Sequence, residues 1–288
     1  MKVSGAGEFN LLDVVKPYLD MQAGADDAAV LAVAGGLLVA SCDTFVEGVH
    51  FDLGWMSAED AGWRALALAL GDLAAKGATP GWALTSLAMP VTWEVGHLEG
   101  LFRGMAGMAR LAHMEIVGGD MSVVDGPAVL SVTVAGRCDK RPIQRAEAQP
   151  GWTVAVTGPL GASALALGER RALRLEPRLA EGRALNGIGL CCGDVSDGLV
   201  REMEKFRYMS GAGCVLRAGD VPVAPGASLE GALTGGEEAE LVCVGPDELI
   251  RGSGLAVVGT LTALGRVEVI DAEGRPISLT RGGYDHFA

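Results

Sequence analysis

The stretch Asp194–Leu199 reads D-V-S-D-G-L, and it sets two aspartates and a glycine just ahead of a predicted helix over residues 197–209. The same combination of a predicted strand, glycine and acidic residues recurs in both halves of the chain. Asp26 and Asp27 precede a predicted strand, and Asp43 ends another in S-C-D-T. This alternation of strands, acidic loops and helices predicts an α/β chain with its acidic side chains at strand ends.

Two further acidic groups are also predicted to lie at strand ends. Asp120 is predicted to end a strand in V-G-G-D, and Glu237 and Glu238 follow two glycines and lead into A-E-L-V-C-V. Loops at one edge of a sheet are the usual place for a ligand site. Carboxylate oxygens suit Mg²⁺, which shares its coordination shell with substrate phosphates. Each acid alone is also explained by capping or solvation, but the five groups together favour a magnesium site.

Asp72 is the sharpest single case. It lies in A-L-A-L-A-L-G-D-L-A-A, within a helix predicted to begin after Ser57 and to stop at Gly77. This helix is apolar nearly all around, so the carboxylate is expected to be buried and to need a metal, a cation or several donors. Metal ligation and an ion pair with Arg64 or Lys76 are the two alternatives.

The remaining elements divide the chain into two halves. The segment R-A-E-A-Q-P-G at residues 145–151 is interpreted as a linker, which predicts one domain over residues 1–145 and a second over 146–288. A second long helix is predicted at 93–113. The predicted strands are 29–33, 37–42, 83–89, 115–117 and 128–137 in the first half, and 153–157, 214–217, 239–244, 256–260 and 267–270 in the second.

Composition limits the possible functions. The 288 residues are 49% hydrophobic and 20% charged, so a substantial core can form. A net charge of −13 argues against nucleic acid as a partner, because a phosphate-binding surface is expected to be basic. An acidic protein can still handle phosphates when divalent ions lie between its carboxylates and the ligand.

The six cysteines show no C-x-x-C pair and no zinc spacing with the four histidines. No long apolar run occurs in residues 1–20, so no signal peptide is indicated, and reduced thiols in a cytoplasm are expected. The apolar stretch 61–75 is interrupted by Arg64 and Asp72, which predicts a buried helix and no membrane span. A nucleophilic role for Cys191 or Cys192 is less favoured than a buried structural one.

Several catalytic signatures are absent from the sequence. It contains no G-x-x-x-x-G-K-[ST], no H-R-D with D-F-G, no H-E-x-x-H and no G-x-S-x-G. P-loop enzymes, protein kinases, zinc proteases and α/β-hydrolases are therefore disfavoured.

Eight motifs, in order, resemble the thiamine-monophosphate kinase family. They are G-E-F, D-D-A-A-V-L, D-T-F-V-E-G-V-H-F, D-L-A-A-K-G-A, V-G-G-D, D-V-S-D-G-L, G-G-E-E and the terminal G-Y-D-H-F-A. The resemblance covers nearly the whole chain. It implies a two-domain fold similar to aminoimidazole-ribotide synthetase, α/β in its N-terminal domain and α+β in its C-terminal one. It also implies a homodimer paired through the N-terminal domains.

The resemblance further implies transfer of the γ-phosphoryl group of ATP onto thiamine monophosphate, with several Mg²⁺ ions. Asp72, Asp120 and Asp197 are the expected catalytic carboxylates. ATP is expected at Gly119, Arg145 and Ser196, and thiamine phosphate at His50, Glu237 and Phe287. The metal ligands that it implies are Asp27, Ser41, Cys42, Asp43, Asp72, Asp120, Asp194 and Asp197.

The chain departs from the family pattern in a few places. Cys42 stands where the family has Thr, Gly71 where it has Ser, and Met121 where it has Thr. G-G-E-E-A-E-L replaces G-G-E-D-Y-E-L, and the segment between Gly168 and Arg178 is short. Two other functions stay open on the sequence alone: a sister enzyme that uses another acceptor, and a relative that binds Mg-ATP without turnover.

Overall fold

The computed structural model describes residues 7–19 and 26–287. The sequence indicates no signal peptide in residues 1–20. Of these, residues 1–6 and 20 lie outside the described residues. No helix in the described part of the chain is long and apolar enough to cross a bilayer. The cytoplasmic location stays a prediction.

The N-terminal half forms a five-stranded sheet in the order β1-β2-β5-β3-β4. The β3–β4 pair is parallel and the other pairs are antiparallel. The strands are β1 (Ala29–Val33), β2 (Gly36–Val46), β3 (Thr79–Met89), β4 (Glu115–Val123) and β5 (Val129–Cys138). The helices are α1 (Glu8–Val15), α2 (Ala58–Ala75) and α3 (Val95–Leu111).

The C-terminal half forms a six-stranded mixed sheet in the order β11-β8-β10-β6-β9-β7. Its strands are β6 (Thr153–Val156), β7 (Cys191–Asp194), β8 (Gly213–Arg217), β9 (Leu241–Gly245), β10 (Ala256–Thr262) and β11 (Val267–Ile270). Its helices are α4 (Ala162–Gly168), α5 (Leu179–Gly187), α6 (Leu199–Ser210), α7 (Leu229–Thr234) and α8 (Asp247–Ser253).

Helix α2 begins and ends as its sequence predicts. The Ser57 side chain accepts a hydrogen bond from the Asp60 amide at 3.0 Å, and two acids in the first turn complement the helix dipole. Gly77 follows the helix with φ +61°, a conformation that glycine adopts without strain. The Asn186 side chain donates to the Ala75 carbonyl at 3.0 Å, which satisfies one of the free carbonyls at the helix end.

Helix α2 also joins the two halves. Leu66 and Leu70 pack into the core beneath the first sheet, whereas Ala74 and Ala75 pack into a core formed with the second sheet. A Cβ at Gly182 of α5 would lie 2.0 Å from the Ala74 carbonyl oxygen, so the close approach of α5 to α2 requires glycine there. The end of α2 that carries Asp72 therefore lies between the two sheets.

The structure corrects two predictions about local placement. Asp43 and Asp120 do not end strands, because β2 continues to Val46 and β4 to Val123 through pairing with β5 and β3. Arg145, at the start of the segment interpreted as a linker, begins a short 3₁₀ turn and is 1% exposed. Strand β7 and helix α5 were not predicted. The domain boundary after residue 145 stays a prediction.

Candidate functional site

Three aspartates from both halves of the chain meet beside the end of α2. Asp27 comes from the segment before β1, Asp72 from α2 and Asp194 from the end of β7, and each offers a carboxylate oxygen within 4.8 Å of the others. The Ser41 hydroxyl of β2 donates a hydrogen bond to Asp72 and lies 3.1 Å from the Asp27 carbonyl oxygen. We call Asp27, Asp72 and Asp194 the acidic cluster.

Electrostatics show that much of this cluster lacks compensating charge. Burial raises the pKa of Asp72 well above its usual range, and the nearby Asp43 and Asp194 carboxylates add to the effect. Burial likewise raises the pKa of Asp194, with Asp27 adding to it, and raises the pKa of Asp43 to about 6. Hard oxygen ligands that repel one another are the donor set that a divalent cation such as Mg²⁺ fits.

The two cations considered as partners of Asp72 have other partners. Arg64 binds Glu237 at 2.5 Å and Ser163 at 3.0 Å, and Lys76 binds Asp26 and Asp27. No ion pair to Asp72 occurs within residues 7–19 and 26–287. The structure therefore removes the ion-pair alternative.

Asp27 differs from the other two members of the cluster. Lys76 lies 2.7 Å from its Oδ2, and the Arg145 guanidinium binds its Oδ1. Although burial alone would raise the pKa of Asp27, Arg145 and Lys76 hold it well below the usual range. Arg145 also binds Glu202 at 2.6 Å, so it is surrounded by carboxylates. Its expected contact with ATP stays a prediction.

The D-V-S-D-G-L loop is held by helix α6. Lys205 lies 2.7 Å from Asp197 and from Glu202, and it donates to the Ser196 hydroxyl at 3.1 Å. Sequence analysis missed Glu202 and Lys205. Glu202 could have been recognised from the sequence, because it lies on the buried face of α6 with Leu199 and Met203, where a carboxylate needs a partner.

Cys42 and Asp120 lie on the other face of the first sheet. Side chains alternate along β2, so Cys42 faces away from Ser41, and its sulfur lies 3.2 Å from the Ser131 hydroxyl. Asp120 is paired with Ser86 in register, and both line an open cavity of about 310 Å³ with Gly119 and Ser131. The structure does not bring Cys42 or Asp120 into the acidic cluster, and their roles as metal ligands stay predictions.

Two of the three residues expected at the thiamine phosphate, His50 and Glu237, lie on loops. Glu237 has φ +58°, its amide donates to the Ser196 carbonyl at 2.7 Å, and Arg64 holds its carboxylate. The His50 Nδ1 accepts a hydrogen bond from the Val46 amide at 3.0 Å, which fixes the ring. Burial lowers the pKa of His50, so the neutral ring is favoured.

The C-terminal tail returns to this region. The Tyr284 amide donates to the Asp197 carbonyl at 3.0 Å, and the Asp285 carboxylate binds Arg201 at 3.0 Å. The His286 ring centre lies 5.1 Å from that of His50. The tail therefore reaches the His50 loop, while substrate contact by Phe287 stays a prediction.

The second glutamate of G-G-E-E has a local structural role. Glu238 is 4% exposed and accepts hydrogen bonds from the Gly161 and Ser163 amides at 2.8 and 3.1 Å. Burial raises the pKa of Glu238 to about 7, despite these bonds. The folded protein thus holds this proton up to a higher pH than the unfolded chain, so ionising Glu238 destabilises the fold as the pH rises from about 4.5 to 7.

Glu238→Gln is therefore expected to raise the Tm at pH 8 by about 2–6 °C and to leave it nearly unchanged at pH 4. The amide oxygen can still accept both backbone hydrogen bonds, and no charge is buried. Thermal unfolding at the two pH values measures the effect. A lower Tm at pH 8 would show that the charged carboxylate stabilises the turn.

Comparisons with known proteins show which family and which solved structures the chain resembles. A family model described as AIR synthase related protein, N-terminal domain, matches residues 25–138. The chain is 31% identical to the thiamine-monophosphate kinase of Bacillus subtilis, with 97% of this chain and 99% of that protein covered. It is 32% identical to the enzyme of that name from Salmonella typhimurium, with 98% of each covered.

The chain belongs to the thiamine-monophosphate kinase family. The structure of AaThiL complexed with AMPPCP and TMP is 27% identical and matches with a TM-score of 0.87, over 100% of this chain and 99% of that one. The hydrogenase maturation protein HypE, at 21% identity and a TM-score of 0.69, shares the fold. The resemblance and the two-domain fold predicted from the motifs are therefore confirmed.

Proposed function

We propose that this member of the thiamine-monophosphate kinase family moves the γ-phosphoryl group of ATP directly onto the phosphate of thiamine monophosphate, in a reaction that depends on Mg²⁺. The observation that carries the proposal is the acidic cluster, with Asp27, Asp72 and Asp194 oxygens within 4.8 Å of one another. A relative of the same fold over its whole length binds AMPPCP and TMP.

The site residues that the motifs indicate form one proposed set. Asp27, Asp72 and Asp194 would hold Mg²⁺, with Ser41 and Asp43 beside them. The bound ion would offset the charge of two phosphates that must approach each other. The proposal retains Cys42, Asp120 and Asp197 as further metal ligands, Gly119, Arg145 and Ser196 at ATP, and His50, Glu237 and Phe287 at the acceptor.

The chain's own groups are suited to in-line transfer. Such a transfer depends on positioning and charge neutralisation more than on covalent catalysis. Lys205 fixes Ser196 and Asp197 in the loop before α6, and Arg64 fixes Glu237 in the loop before β9. These two loops, which also contact each other through the Glu237 amide and the Ser196 carbonyl at 2.7 Å, are thus held in place before a ligand binds.

Product analysis tests the proposal. The protein is incubated with ATP, Mg²⁺ and thiamine monophosphate, and thiamine diphosphate and ADP are expected in equal amounts. If another phosphate acceptor is consumed in place of thiamine monophosphate, the protein is a sister enzyme. Binding of Mg-ATP without ADP formation would identify a non-catalytic relative.

Phe287→Ala tests the role of the tail in acceptor binding. We expect the KM for thiamine monophosphate to rise about three- to thirty-fold and the KM for ATP to stay nearly constant, because an aromatic face attracts the cationic thiazolium ring. Steady-state kinetics with each substrate varied in turn give both values. Equal effects on both substrates, or none, would show that Phe287 only anchors the chain end.

We also propose a homodimer. The edge strand β4 exposes Val117, Met121 and Val123, which are 55%, 59% and 71% exposed. An exposed apolar edge strand is a surface that a second copy of the chain can cover. Light scattering after gel filtration measures the mass in solution, and a monomer at micromolar concentration would contradict the proposal.

A further inference from the structure

Lys76 is buried beside Asp27, but it is not among the residues expected to bind metal, ATP or thiamine phosphate. It caps the C-terminal end of α2 and is 1% exposed. Its ammonium contacts the Asp26 carboxylate, lies 2.7 Å from Asp27 and donates to the Cys192 carbonyl at 3.2 Å. Its two carboxylate partners stabilise the charged form of the ammonium. Lys76 is therefore a fixed positive charge.

This charge makes the two sides of the acidic cluster different. Asp27 is bound by Lys76 and Arg145. Asp72 and Asp194 have no ion pair in the part of the chain that the structure describes. A cation that bridges the cluster thus meets one carboxylate already neutralised by the protein and two that are not.

We infer that Lys76 is a positioning residue that acts as a built-in cation of the metal site. It holds Asp27 in place and reduces the negative charge of the cluster, so that the cluster binds Mg²⁺ less tightly than it otherwise would. The inference rests on the proposed Mg²⁺-dependent function. It differs from a purely structural role, in which Lys76 only ties α2 to the segment before β1.

The two roles predict opposite results for metal binding. Lys76→Met removes the charge and keeps an unbranched side chain, so calorimetry without nucleotide is expected to show Mg²⁺ binding about five-fold tighter. Lys76→Arg keeps the charge and is expected to stay within about two-fold of the original affinity. Lys140→Met is the matched control, because Lys140 is exposed and contacts the Gly187 carbonyl.

Unchanged or weaker Mg²⁺ binding by Lys76→Met, with a lower Tm, would overturn the inference. If this variant does not fold, Lys76→Gln supplies the comparison, since its amide can still donate to the Cys192 carbonyl. The double variant Asp26→Asn/Lys76→Gln removes one charge of each sign, and its affinity is expected to return to within about two-fold of the original. Failure of both single variants to fold in saturating Mg²⁺ would also overturn the inference.

The proposed function and this inference fail in different ways. If the unmodified protein binds no Mg²⁺ in calorimetry and forms thiamine diphosphate without it, the metal site itself is refuted. If the unmodified protein binds Mg²⁺ and Lys76→Met binds it equally well, only the role of Lys76 is refuted.

Discussion

Asp72→Asn is expected to lower the rate of thiamine monophosphate phosphorylation at least about 100-fold, which is the loss typical of removing one electrostatic group from a transition state. The amide has nearly the same volume and can still accept the hydrogen bond from Ser41. It is a poorer Mg²⁺ ligand and removes one of the three carboxylates of the acidic cluster. The kcat with saturating ATP, Mg²⁺ and thiamine monophosphate measures the loss.

The same variant is expected to fold at least as well as the original protein without metal. Burial and the neighbouring Asp43 and Asp194 carboxylates raise the pKa of Asp72, so its ionised form destabilises the metal-free fold at neutral pH. Asn removes that charge. Asp125→Asn, at an exposed loop position, is the matched control and should keep full activity. Full activity in Asp72→Asn would place Asp72 outside the catalytic machinery.

Removal of divalent cations is expected to abolish the reaction, with full recovery when Mg²⁺ is added back. Burial raises the pKa values of Asp43, Asp72 and Asp194, and neighbouring carboxylates add to the effect. Two phosphates would add further negative charge to this repulsion. Activity is measured in excess chelator and then after Mg²⁺ is restored, at constant ionic strength. Undiminished turnover in chelator would contradict the mechanism.

Residues within a single segment were sufficient to predict an element whose bounds depend only on that segment. The bounds of α2 follow from the Ser57 cap, the apolar run and Gly77, all within one segment. Such local prediction fails where pairing with a distant strand decides the bounds of the element. Asp43 and Asp120 resemble strand ends, because Asp and Gly disfavour strands, yet β5 and β3 extend the ladders past them.

The sequence by itself determined the family, the acidic character of the site and the burial of Asp72, because these depend on motifs and on periodicity within single segments. Only the tertiary structure decided which acids meet. It brought Asp27 and Asp194 to Asp72 and put Asp120 on the opposite face of its sheet.

The tertiary structure also decided the partners of the buried cations. Arg64 lies on the same helix as Asp72, and Lys76 caps that helix, but Lys76 binds Asp27 and Arg64 binds Glu237. Which carboxylate each cation binds depends on the carboxylates that the two sheets bring to each side of α2. Charge attraction depends on distance in space, and the sequence does not give that distance.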